Sequence, residues 1–92
     1  MLNENELGLF VTDTYRVLAL IGQNTKDHKT GGSYSSITQK EISTTLGFNI
    51  MKANEIVKTL IENGFLEAVP KHRGRYRVTN KADNVLKILK KL

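Results

Sequence analysis

The stretch Thr38-Gln39-Lys40-Glu41-Ile42-Ser43-Thr44-Thr45-Leu46-Gly47-Phe48-Asn49 decides how the rest of the chain is read. Thr38 and Glu41 stand at the two positions of a capping box. The threonine hydroxyl can accept from the backbone N–H of Glu41, whose carboxylate can reach back to the Thr38 N–H. Ile37 and Ile42 flank the box as a hydrophobic staple, which sets the angle at which the chain joins the helix. The helix ends after Leu46, because Gly47 adopts the left-handed conformation of a C-cap without a Cβ clash. Ile42 and Leu46 face inward. Asn49 then caps a second helix, in which Ala53, Ile56, Val57, Leu60 and Ile61 recur at helical spacing and predict a buried stripe. Asn63-Gly64 closes it.

Toward the C-terminus, Phe65–Val69 reads as a strand whose end Pro70 demotes to an edge or turn. Lys71-His72-Arg73-Gly74 is a polar turn, and Arg75–Val78 alternates so that Tyr76 and Val78 share one face and both arginines the other. The two runs predict a β-hairpin with a basic tip. Thr79 or Asn80 caps a last helix with an apolar stripe of Ala82, Val85, Leu86, Leu89 and Leu92. Toward the N-terminus, Thr14, Val17, Leu18 and Ile21 predict a helix from Thr12 to about Ile21, widened by Val11 and Tyr15, with Gly22 as its stop. Gln23–Ser36 is polar and glycine-bearing, hence a loop with room for a short strand near Ser35–Ile37. Residues 1–11 are expected to be an irregular arm. The predicted class is mostly α with a small β-hairpin (α+β), in one domain over 1–92.

The order helix, helix, tight turn, helix, basic hairpin, helix resembles the winged helix-turn-helix. Within Gln39–Lys58, Ile42 and Leu46 match the first-helix core positions of that signature, Gly47 the turn, and Ala53 and Ile56 the second-helix core. Ser43 stands where the pattern prefers alanine. LIENGFLEAV at 60–69 and RGRYRVTNKADNVLKIL at 73–89 are similar to the hairpin and C-terminal helix of MarR, PadR and ArsR-type DNA-binding proteins. The resemblance implies a helix-turn-helix over 38–63, a wing over 65–79 and a closing helix over 80–92. It also implies a double-stranded DNA partner.

Charge points the same way. Residues 71–92 hold eight Lys or Arg against Asp83 alone, whereas residues 1–70 hold six against eight acids. Such asymmetry favours a surface that meets a polyanion. Lys71, Arg73, Arg75 and Arg77 fall on one hairpin, where guanidinium forks suit phosphate oxygens. Lys87, Lys90 and Lys91 read instead as a solvated face, and Arg77 has Glu67 as an alternative partner across the hairpin. On the second helix, Asn54 suits adenine, Lys52 or Lys58 guanine or phosphate, and Ile50 or Met51 a thymine methyl. Glu55 is expected to be screened by Lys52 and Lys58 three residues to either side, with a cytosine amino group as its other partner. Thr38, Gln39, Asn49 and His72 complete the expected DNA-contacting set.

A homodimer is expected from surplus apolar surface: Leu7, Leu9, Phe10 and Tyr15 near the N-terminus, Val85, Ile88, Leu89 and Leu92 in the last helix. No catalytic residues, cofactor or metal are expected, since the chain has no Cys, two unpaired His and no phosphate-cradling glycine loop. Without a basic leader or a long apolar run, the expected location is the cytoplasm, at the nucleoid. Two other roles compete with a transcription regulator: a segregation (plasmid partition) or chromatin-organising protein that spreads on DNA, and a winged helix that binds protein instead.

Overall fold

The computed structural model describes residues 12–28, 32–70 and 74–91, and side chains up to Ile88. Helix α1 (Asp13–Gln23) starts at Thr12, whose hydroxyl accepts from the Tyr15 N–H at 3.2 Å. Val17, Leu18 and Ile21 are its buried face. The predicted stop at Gly22 is wrong, since the helix runs through it to Gln23. One interior glycine costs about 1 kcal/mol relative to alanine, and this turn has compensation. Ile21 is fully buried, and Asn24 caps the end by donating its side-chain amide to the Leu20 carbonyl at 2.8 Å.

The predicted loop after α1 is a second hairpin. Strand β1 (Thr25–Asp27) pairs antiparallel with β2 (Ser33–Ser35), with Lys26 opposite Tyr34. The predicted strand at Ser35–Ile37 therefore lies two residues earlier. Buried Tyr34 stacks on His28 with ring centroids 3.7 Å apart, and the Ser33 hydroxyl bonds the Asp27 carboxylate.

Helix α2 (Gln39–Leu46) carries the complete capping box, with Glu41 N–H to Thr38 Oγ1 at 3.1 Å and Thr38 N–H to Glu41 Oε1 at 3.2 Å. Gly47 is left-handed at φ 78° and its N–H returns to the Ser43 carbonyl at 2.9 Å. Ser43 replaces the preferred alanine without leaving a buried donor unpaired, because its hydroxyl donates to the Lys40 carbonyl at 2.8 Å. Helix α3 (Ile50–Glu62) is capped by Asn49, whose Oδ1 accepts from the Lys52 N–H at 2.8 Å. Ala53, Ile56, Val57 and Leu60 are buried as predicted. Ile61 is not, being 37% exposed at the edge of the stripe.

Strands β3 (Leu66–Ala68) and β4 (Tyr76–Val78) form the predicted hairpin, with Glu67 opposite Arg77 and Ala68 opposite Tyr76. Its sheet is larger than predicted: Ser35 of β2 pairs with Tyr76, giving the antiparallel order β1-β2-β4-β3. Helix α4 (Asn80–Lys91) begins at Thr79, whose Oγ1 accepts from the Ala82 N–H at 3.2 Å. The described chain is thus α+β, with four helices and one four-stranded antiparallel sheet. Its core joins α1, α2 and α3 to Leu66, Tyr76 and Ala82. No helix among the described residues is long and apolar enough to cross a membrane.

Candidate nucleic-acid interface

The tight turn at Gly47 presents the first turns of α3 outward. Met51 is 76% exposed and Ile50 50%, and Asn54, Glu55 and Lys58 are exposed on the same helix. Met51, Asn54 and Glu55 line a shallow open depression together with Asn49 and Lys52.

Several expected contact residues already have work inside the chain. Thr38 is held in the capping box, and the Asn49 carbonyl oxygen caps α3. Gln39 donates from Nε2 to the Tyr76 hydroxyl at 3.2 Å. That bond ties the start of α2 to the first residue of β4, so the segment leading from the hairpin tip runs beside the N-terminus of α2. Val69 N–H to the Arg75 carbonyl, at 3.1 Å, closes the hairpin just below the tip.

Lys52 departs most from expectation. Its ammonium bonds the Asp13 carboxylate at the start of α1 and lies 5.0 Å from the centroid of the Phe48 ring. Asp13 also receives Arg16 Nη1 at 3.1 Å. The hydrogen bond from Lys52 is the main reason the Asp13 carboxyl titrates below the ordinary aspartate range, with Arg16 acting in the same direction. Neither Lys52 nor Lys58, the cations expected to screen Glu55, forms an ion pair with it among the described residues. Asp13 was missed by sequence reasoning. It is 39 positions from Lys52, and no local spacing signals the pair.

In the hairpin, Arg77 takes the alternative partner: Nη1 lies 3.5 Å from Glu67 Oε1 and Nε donates to the Ser33 carbonyl at 3.3 Å. Arg75 is half-buried, with its guanidinium 5.7 Å from the centre of the Tyr34 ring. Lys71, His72 and Arg73, the expected tip, lie outside the described residues. Lys81 is committed at the far end, donating to the Asn63 carbonyl at 2.8 Å and lying 4.5 Å over Phe65.

Of the expected dimer residues, Tyr15 and Val85 are half-buried and Ile88 is 61% exposed. Tyr15 lines a groove between α1 and α4 with Ala19, Gly22 and Leu86, and Leu86 packs on the core. Helices α1 and α4 thus flank one groove within a single chain. Leu7, Leu9, Phe10 and Leu92, and the side chain of Leu89, lie outside the described residues. No group of three potential metal ligands occurs among the described residues.

The fold has a known counterpart. The reduced (Fe(II)) CO-sensing protein from R. rubrum is similar with a TM-score of 0.65 at 19% sequence identity, over 88% of this chain. The chain spans 38% of the length of that protein, and the likeness is one of fold. No protein-family model matches the chain, and no curated protein matches it in sequence.

Proposed function

We propose that this chain is a winged helix-turn-helix protein that binds double-stranded DNA without catalysis, as a homodimer, and recognises a short operator. The observation that carries the reading is the exposure of the first turns of α3. They follow a tight left-handed turn, and the Gln39–Tyr76 bond sets the hairpin beside the start of α2. A helix of that kind fits the B-DNA major groove, and a hairpin beside it reaches the flanking phosphates. The basic C-terminal portion of the sequence supplies the attraction.

The homodimer follows from half-site geometry, since two copies related by a two-fold read sites about one helical turn apart. Exposed Ile88 on α4 is the apolar contact it would cover. A regulator is preferred over a protein that coats DNA because the reading face of α3 includes Glu55, and a carboxylate there opposes indiscriminate backbone binding.

The test is binding of the full chain to a random duplex and to operator-enriched duplexes from 50 to 300 mM salt. Steep loss of affinity with salt, together with one bounded footprint, supports the reading. A footprint that spreads outward with protein concentration favours DNA coating instead. Absence of binding to any duplex at the lowest salt overturns the DNA reading and leaves a protein-binding role.

A further inference from the structure

We infer that Glu55 is a specificity determinant that accepts a hydrogen bond from a cytosine amino group, with Met51 against a thymine methyl one helical turn earlier. The inference rests on the DNA-binding reading and deepens it by naming the bases.

Three observations on α3 lead to it. Lys52, the cation expected to screen Glu55 from the N-terminal side, is withdrawn to Asp13 and the Phe48 ring. Lys58, expected on the other side, makes no ion pair with Glu55 among the described residues. The carboxylate is therefore left exposed beside Met51 and Asn54 at the same depression. Toward a phosphate backbone such a group is repulsive at every sequence. Among base edges in the major groove, cytosine N4 offers a donor unaccompanied by an acceptor of its own, and adenine N6 sits beside the acceptor N7. A carboxylate has only acceptors. It therefore gains most from cytosine and loses most against guanine, whose O6 and N7 are both acceptors.

Met51 supplies the second element. A thioether side chain 76% exposed at the start of a helix has no hydrogen bond to offer a base, but it has apolar surface to cover. The major-groove feature that matches is the thymine C5-methyl. Met51 and Glu55 are four positions apart, so their Cα atoms are separated by about 6 Å along the axis. That is about two base-pair steps of DNA. The expected half-site core therefore holds a C·G pair within about two steps of a T·A pair.

Both features are tested by selecting bound duplexes from a randomised pool with the full chain and with Glu55→Gln, each first shown to melt at the same temperature. The wild-type pool should contain one cytosine column near one thymine column. Glu55→Gln should convert the cytosine column to adenine, because a glutamine amide donates and accepts toward the adenine edge. On the wild-type site the variant should lose on the order of tenfold in affinity. Independently of any variant, replacing the thymine by deoxyuridine in the selected site, which removes only the methyl group, should weaken wild-type binding several-fold. If wild type and Glu55→Gln bind DNA but select the same bases, the assignment of Glu55 is overturned while DNA binding stands. If deoxyuridine binds as well as thymine, the Met51 contact is overturned. If neither protein retains any duplex at low salt, the underlying DNA reading falls, and this inference with it.

Discussion

Lys52 and Glu55 sit three positions apart on one helix, and their fates differ because of a residue far away in sequence. Asp13 captures Lys52, so the ammonium fastens α1 to α3 and the carboxylate of Glu55 stays exposed. Because the Asp13 carboxyl is held below its ordinary range, the Lys52–Asp13 contact contributes to stability above that range, and the contribution is lost as pH falls through the lowered value. Asp13→Asn should therefore lower the melting temperature slightly at neutral pH and flatten its decline in acid, a comparison made by thermal melts from pH 7 to pH 2. The effect is expected to be small, since both side chains are substantially exposed. Gly47 is the other residue on which the site turns. Its φ of 78° is open to glycine, and no atom within 4 Å would meet an added Cβ. Gly47→Ala should thus carry the backbone cost alone, about 1–2 kcal/mol, and Gly47→Asn less, both read from urea denaturation.

At the scale of elements, the parts legible in the sequence were those whose signals are local. The capping box, the left-handed Gly47, the Asn49 cap and the apolar spacing of α3 each lie within a few residues of the structure they specify. Thr38→Ala should accordingly cost about 1 kcal/mol by removing an N-cap, and Thr38→Ser should restore most of it. The β1–β2 hairpin was not legible, for a physical reason. Thr25-Lys26-Asp27 and Ser33-Tyr34-Ser35 are mostly polar and too short to display the alternation of a half-buried strand. Their strand conformation depends on Ser35 meeting Tyr76 and on the burial of Tyr34, both long-range. Removing that ring should show its weight. Tyr34→Ala, which deletes a 5% exposed side chain and its stacking on His28, should cost about 3–5 kcal/mol, measured by the same denaturation. Similarly, the extension of α1 past Gly22 depends on the Asn24 cap, a side-chain choice that spacing alone does not reveal.

At the scale of the whole molecule, the net charge of +5 overstates what is available to a polyanion. Arg16 and Lys52 are engaged with Asp13, Arg77 with Glu67, and Lys81 with the end of α3. Net charge and the number of phosphates neutralised should thus come apart, and the salt dependence of DNA binding separates them. Each cation that releases a counterion from B-DNA contributes about 0.9 to the slope of log affinity against log salt. Arg73 belongs by sequence to the hairpin tip, whereas Arg77 is drawn to its cross-strand neighbour and to the Ser33 carbonyl. Arg73→Ala should therefore lower the slope by about one and weaken binding to all sequences alike. Arg77→Ala removes the same formal charge and should leave the slope unchanged, while costing up to about 1 kcal/mol of folding stability through its half-exposed ion pair. Titrations of both variants on one operator and one random duplex over the same salt range decide the matter. Equal slopes for the two would mean that bulk charge governs binding rather than the contacts that hold Arg77.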